Sequence, residues 1–327
     1  MTLSKAELLT LVAEANLAPS VHNTQPSRWR IDDDGSVLLL EDPTRRLAIG
    51  DPLGRDADVS HGAALEGFSM ACAERGFSIT LTEPPVRACP FRPVAKLIVE
   101  QGGVPDPLRG HVDTRRTYRG GFLPGGDLER LEVLGSSADT ILVTRADGVA
   151  RLAALNDQAS LRTYRDKAFR AELLSWMRLS PNHPRWALDG LNAEALEMSR
   201  LEAAGAGLVL KPVVFEALDK TSAAAPLVAE AKVVRTALAI VLFHRSEGEP
   251  PLVTGRRFYR LWLELAALGI SAAPMAVLAD DTKSRATVVT EFNVPVGRRL
   301  ITAFRIGVAP VRSNPPKPRL PVEALVV

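Results

Sequence analysis

The apolar positions of this chain fall into two rhythms. Residues 4–18 place Leu8, Leu11, Val12 and Ala15 on a 3.6-residue period, which predicts a surface helix. Ser4 followed by Glu7 supplies a capping box at its start. Pro19 ends it, because the residue before a proline is pushed out of the helical region. A turn containing Asn23 and Pro26 leads into a predicted strand at 29–31, and Asp-Asp-Asp-Gly at 32–35 signals a hairpin that returns through 36–41. The alanine-rich window 56–76 predicts a second helix, closed by Gly76. Strands are expected at 77–81 and 94–100, then a loop at 102–110.

Beyond that loop the pattern starts again. Residues 111–122 open the second stretch, with a helix expected near 127–134 and a strand at 140–144. A long helical region at 146–178 is interrupted by Ser180-Pro-Asn-His-Pro184. A strand at 236–243 precedes a helix from about 254 to 268, which Gly269 stops. The last strand of the sheet is expected at 303–307, and the proline-bearing tail 313–321 is expected to lie extended on the surface. Helices alternating with short strands predict a layered α+β fold. The helices at 56–76 and 254–269 hold similar places, a weak internal repeat at a spacing of roughly 200 residues, far longer than any solenoid period.

Composition narrows the reading. The 327 residues include 46% hydrophobic and 24% charged, ordinary for a globular protein with a large core. Forty basic residues against 38 acidic ones give a net charge of +2, no global reason to expect nucleic acid or an anionic membrane as partner. Anion binding would have to come from local clusters. Cys72 and Cys89 form no CxxC, which fits a reducing, cytoplasmic interior. The N-terminus lacks a signal-peptide layout. The longest apolar run, 237–243, covers about a third of a bilayer span and reads as a buried strand.

Three segments carry candidate chemistry. Ala18-Pro-Ser-Val-His-Asn-Thr-Gln-Pro26 packs a hydroxyl, an imidazole and two amides into a helix-to-strand turn. Such a turn can direct several hydrogen bonds at one planar polar ligand, or simply cap its own backbone through Ser20 and Asn23. Asp113-Thr-Arg-Arg-Thr-Tyr-Arg-Gly-Gly-Phe122 offers three guanidinium forks, two hydroxyls and a glycine pair, either a phosphate cradle or a solvated basic loop. The segment 254–274 is an amphipathic helix whose Phe258, Leu261, Trp262, Leu265 and Leu268 form a core face, followed by Gly269 and small residues before Pro274.

Together these segments resemble the nitroreductase superfamily. Its Ala-Pro-Ser-x-x-Asn-x-Gln-Pro turn is similar to residues 18–26, with every named position kept. Its arginine-rich phosphate segment resembles 115–119, its late helix with a Gly-Ile pair and a proline resembles 255–274, and its closing arginine before glycine resembles Arg305-Ile-Gly307. In ordinary members the arginine segment precedes the turn; here it follows. The resemblance therefore implies a nitroreductase-like sheet packed by helices in an intrachain pseudo-dimer, two fused halves at 1–108 and 109–327 sharing one composite site. That arrangement resembles the Acg-like branch, and it leaves the chain free to be a monomer or a homodimer.

The resemblance implies FMN as cofactor and NAD(P)H as electron donor. It assigns Arg115 and Arg116 to the phosphate and ribityl chain, with Thr117 donating a hydroxyl and Arg305 completing the phosphate pocket. Arg119 would lie toward the N1–O2 edge, where a fixed cation favours the reduced anionic flavin. Pro19, Ser20 and Asn23 would reach the cofactor from the other half, and the backbone at Met275 and Ala276 would sit near N5. Family members carry Trp after Gln-Pro; here Ser27 stands there and Trp29 follows. An insertion at 180–200, with Trp186 in it, resembles the segment that covers the flavin in Acg-like proteins.

The implied activity is two-electron transfer to a nitro, quinone or related small conjugated acceptor. A flavin-storing protein whose lid excludes NAD(P)H, and a flavin-dependent dehydrogenase or oxidase of a biosynthetic pathway, are the alternatives. The five histidines show no metal-ligand spacing, and neither GxGxxG nor GxSxG occurs. His22 is open between steadying the turn and contacting the flavin.

Overall fold

The computed structural model describes residues 3–84, 90–131, 137–311 and 317–327. Helix α1 (Lys5–Ala15) carries the expected capping box, with the Ser4 hydroxyl accepting from the Glu7 amide and the Glu7 carboxylate accepting from the Ser4 amide. Strands β1 (Ser27–Ile31) and β2 (Val37–Glu41) form the expected hairpin, with Gly35 at φ 79° in its turn. Helix α2 (Arg55–Ala73) is followed by β3 (Phe77–Thr82) and β4 (Arg92–Gln101), which complete a four-stranded antiparallel sheet in the order β1-β2-β4-β3. Trp29 stacks on Phe68 of α2 at 4.6 Å between ring centroids, so the displaced tryptophan belongs to this core.

The second sheet contains β5 (Thr140–Val143), then, beyond the intervening helices and the β6–β7 pair, β8 (Ala239–Ser246), β9 (Ser271–Pro274) and β10 (Arg298–Gly307), in the antiparallel order β5-β8-β10-β9. Its central strand explains the apolar run at 237–243. Val241 and Phe243 point to one core, shared with Leu261 and Leu265, while Ile240 and Leu242 point to another, shared with Leu152 and Leu155. A strand buried on both faces loses the polar alternation of a surface strand.

Helices α3 (Ala146–Arg165) and α4 (Lys167–Trp176) replace the single long helix expected at 146–178. Asp166 divides them: its carboxylate caps α4 by accepting from the Ala168 and Phe169 amides, which commits its backbone to an extended conformation. Around 127–134 the described residues show only a short turn at Glu129–Leu131, and 132–136 lie outside them. Strands β6 (Met177–Arg178) and β7 (Leu191–Asn192) pair in parallel at the base of the 180–190 insertion. Helices α5 (Arg200–Val209), α6 (Pro212–Lys220), α7 (Ala224–Val228) and α8 (Ala231–Val234) follow.

The two sheets meet through α2 and α9 (Pro251–Ala267), whose backbones touch at Gly62 and Gly255. A Cβ at Gly62 would stand 2.2 Å from the Leu252 oxygen, and one at Gly255 would stand 2.2 Å from the Val59 oxygen. Only glycine permits that approach. Helices α10 (Val277–Asp280) and α11 (Thr282–Glu291) complete the second layer. No helix among the described residues is long and apolar enough to cross a membrane.

The tail corrects the sequence reading. Of the tail expected on the surface at 313–321, residues 313–316 lie outside the described ones, and in 317–321 Leu320 is buried. Leu320 and Leu325 enter the first core, a turn forms at Val322–Ala324, and Val326 bridges to Trp29. The Trp29 amide donates to the Leu325 oxygen at 2.8 Å. Alternating apolar positions in the tail outweigh its prolines, which lack only a donor that an edge pairing can spare.

Candidate functional site

The turn 18–26 is strained and held from several sides. His22, Asn23 and Gln25 lie at φ 44°, 54° and 52°, conformations that side chains with a Cβ rarely adopt. Gln25 is buried; its amide nitrogen donates to the Leu188 oxygen at 2.8 Å, and its side-chain oxygen accepts from the Leu320 amide at 2.8 Å. Asn23 donates to the Gly190 and Pro318 oxygens and accepts from Arg319 at 3.1 Å. Ser20 accepts from the Gln25 amide at 3.0 Å, and with Pro19 it lines a cavity of about 20 Å³ behind the turn. These contacts shape the turn and fasten it to the insertion and the tail.

His22 is different. Its Nδ1 is buried without a partner among the described residues, so it does not steady the turn through that atom. Burial, then the nearby Arg119 guanidinium, lowers its pKa to about 4, against a smaller raising effect of Glu172. The imidazole is neutral at neutral pH.

The arginine segment runs along the edge of the second sheet. Thr117 bridges to Ala272 of β9, and the Tyr118 amide donates to the Ala272 oxygen at 3.1 Å. Gly307 at the end of β10 has Phe122 packed against its Cα, where a Cβ would meet the ring at 2.6 Å. Arg305, two residues earlier, lies 5.1 Å from the Phe122 ring centroid and donates to the Gly120 oxygen at 2.8 Å. The structure therefore brings Arg305 to the segment 117–122, as the sequence grouping required.

Arg119 donates to the Ala195 oxygen of the insertion at 3.4 Å, and Arg116 donates to the Pro310 oxygen at 3.3 Å. Arg115 turns toward the first half, donating to the Leu17 oxygen at 3.1 Å from a position 4.9 Å from the Trp262 ring centroid. Among the described residues none of these four guanidiniums forms an ion pair with a carboxylate; their partners are carbonyl oxygens and ring faces. Burial lowers the pKa values of Arg115, Arg119 and Arg305. Burying cations without anions is costly, and the cost is offset when an anion binds.

Met275 and Ala276 divide. Met275 is buried in the second core, its amide donating to the Ala303 oxygen at 2.7 Å, while Ala276 is exposed at the start of α10. The tail contributes Lys317 and Arg319, which sequence reasoning left on the surface. The basic pair flanking Pro318 was the available signal.

An open groove of about 410 Å³ lies on the far side of the insertion. There Arg45, Arg178 and Arg185 converge on the buried carboxylate of Asp189, at 3.1, 2.9 and 2.8 Å. That network fastens the insertion to the first half.

No protein-family model matches the chain. Two proteins of Mycobacterium tuberculosis with names reading "Putative NAD(P)H nitroreductase" are similar to it: one at 30% identity over 175 residues, 51% of this chain and 50% of that protein, and Acg at 32% over 171 residues, 49% and 50%. The chain spans about half the length of these curated relatives. Among solved structures, the FMN-dependent nitroreductase NfnB of Mycobacterium smegmatis in complex with NADPH overlays with a TM-score of 0.34 at 19% identity, covering 61% of this chain and 86% of NfnB. A Bacteroides fragilis nitroreductase with bound FMN gives 0.34 at 13%, covering 65% and 95%. Neither overlay is close enough to place a residue of this chain. Over about half its length, this chain is similar in sequence to proteins carrying the name "Putative NAD(P)H nitroreductase", Acg among them.

Proposed function

We propose that this chain binds FMN between its two layers and acts as a two-electron oxidoreductase on a small conjugated acceptor. The observation that carries the reading is the set of the buried Arg115 and Arg305 and the half-buried Arg119, cations with no carboxylate partner among the described residues, beside a strained turn that matches the family motif. The residues fit the cofactor's chemistry. Guanidiniums and the Thr117 hydroxyl suit a phosphate, and the orphaned Nδ1 of His22 offers a neutral imidazole to a polar edge. Bound FMN would supply the electron transfer itself.

The chain's own contribution is positioning and charge. Arg115, Arg116, Thr117 and Arg305 would hold the phosphate and ribityl chain. Arg119 would place a fixed cation at the ring, in a recess where the Glu230 carboxylate offsets only part of the cost of burial. Pro19, Ser20 and Asn23 would border the ring from the first half, with Met275 and Ala276 across from them. The two four-stranded sheets, joined through α2 and α9, support reading residues 1–108 and 109–327 as fused halves.

A second reading, flavin storage, is favoured by the insertion. It is tied to both layers, by Asn23 and Gln25 on one side and by Arg119 on the other. A nicotinamide would have to displace those ties to reach the ring. One anaerobic experiment tests both. The purified yellow protein is mixed with NADPH and the flavin absorbance is followed. Rapid bleaching is expected of the oxidoreductase; bleaching by dithionite alone would assign storage. A protein that stays colourless in excess FMN would overturn both readings.

A further inference from the structure

One helix of this molecule turns an apolar face to water. Helix α5 is secured at its start by a capping box, with the Ser199 hydroxyl accepting from the Glu202 amide and the Glu202 carboxylate accepting from the Ser199 amide. From Ala203 to Leu210 the sequence then holds no polar side chain. The chain uses only one side of this helix: Ala203 and Leu210 are buried, and Gly207 comes against Leu179. On the opposite side Leu201 is 84% exposed and Leu208 54%, with Ala204 and Gly205 exposed between them. Positions 201, 204, 205 and 208 follow the i, i+3, i+4, i+7 spacing and so form one stripe along the helix. A helix that is apolar all round belongs in an interior, and α5 has an interior on one side only.

The order of side chains along the stripe says what fits it. It reads large, small, small, large, the same from either end. An antiparallel second copy, placed by a two-fold axis between Ala204 and Gly205, would set each Leu201 beside the other copy's Leu208 and bring the two backbones together at the small residues. Nothing in the chain lies within 4 Å of the place a Cβ on Gly205 would take. Glycine inside an exposed helix costs stability, and what it permits in exchange is close approach by another backbone.

The charges agree with this pairing. Arg200 and Lys211 are exposed and pair with no carboxylate among the described residues. The same axis brings Arg200 to the last turn of the other α5, the negative end of its dipole. It brings Lys211 to the other copy's first turn, where Glu202 is exposed and Glu194 stands just before. A lipid surface would favour bulk at the centre of the stripe and basic residues beside it; here the centre is small and Glu202 stands at the edge.

We propose that α5 is a self-association surface, on which two copies of this chain pair antiparallel through Leu201, Ala204, Gly205 and Leu208. The pairing does not depend on the flavin reading. A stable interface buries about 800 Å² on each partner, more than one stripe of this length supplies, so the dimer is expected to be weak and reversible.

Sedimentation velocity on the full chain, from low micromolar to several hundred micromolar, tests the pairing, with thermal melts to establish that each variant is folded. The wild type is expected to pass from monomer to dimer over that range. Leu201→Glu puts a charge on the stripe and is expected to weaken the dimer at least about tenfold, with the melting temperature of the monomer unchanged because the side chain touches little of its own chain. Gly205→Leu enlarges the apolar face and favours the helix, yet holds two backbones apart, so it is expected to weaken the dimer by about the same factor. A wild type that stays monomeric throughout overturns the proposal. So does a dimer that neither variant weakens, and so does one that Gly205→Leu strengthens. Flotation with vesicles of phosphatidylcholine and phosphatidylglycerol supplies the remaining arm: a chain that floats, and floats more completely as Gly205→Leu, has a lipid-facing α5, which also overturns the pairing. Should Gly205→Leu fail to fold, Leu201→Glu decides alone.

Discussion

Two groups of arginines in this molecule, withdrawn from solvent except for Arg185, are used in opposite ways. At the insertion, Arg45, Arg178 and Arg185 converge on Asp189, whose side chain is 1% exposed. At the sheet edge, Arg115, Arg119 and Arg305 meet carbonyl oxygens and ring faces, with no carboxylate among the described residues. The first group shares an anion that the chain itself supplies. The second has none. An arginine that carries its own anion is part of the architecture; one buried without it holds a place for something that arrives later.

The largest expected effect breaks the first group. Asp189→Ala strands the buried Arg178 and leaves Arg45 only Asp42 at 3.8 Å, and loss of one partner of a buried pair costs about 3–5 kcal/mol. Urea unfolding should show that loss. An Asp189→Ala protein as stable as the wild type would dissolve the distinction. Arg305→Gln does the reverse. Chemical denaturation without ligand should find it no less stable than the wild type, since it removes an uncompensated buried charge. Equilibrium dialysis should find FMN weaker by about 1.5–3 kcal/mol, the worth of a charge-assisted hydrogen bond. Loss of stability without loss of FMN would place Arg305 in the first group.

The smallest effect is a pH slope. His61 is buried beside Arg28, Arg46 and Arg92, with its Nδ1 2.9 Å from the Ser27 hydroxyl. Burial first, and those cations against the opposing Glu41, lower its pKa from 6.5 to about 3. The folded state therefore takes its proton less readily than the unfolded chain. Stability is full above about pH 6.5 and falls as pH drops toward 3, by at most about 1.4 kcal/mol per unit from this group. Thermal melts of His61→Gln should show a shallower acid limb over that window. An unchanged slope would remove His61 from the account.

Much of the first layer was legible because its signals are local. The Ser4–Glu7 box, the glycine-closed hairpin and Gly76 each act within a few residues, and the elements fall within about three residues of expectation. The break at Asp166 was missed because its cap competes with a helix-favouring pattern on both sides. Arg305 is grouped with 115–119 by the family resemblance alone, since no local signal joins positions so far apart. The sequence could not say that Arg115 faces away from its neighbours toward Tyr259 and Trp262. Nor could periodicity show that Lys317 and Arg319 come back to α1, because no local signal encodes a contact over such a distance.

That return has a consequence for how the chain is made. Arg319 meets Asn16 across 303 positions of sequence, and Val326 pairs with Trp29. The hairpin of β1 and β2 therefore waits, with one edge uncovered, until the segment around Val326 has left the ribosome. Loop closure over so long a span is slow, and an uncovered edge invites pairing with other nascent chains. The closing segment also carries two of the cations that face Arg115. That segment would thus seal the first sheet and bring its cations to Arg115 long after the hairpin is made.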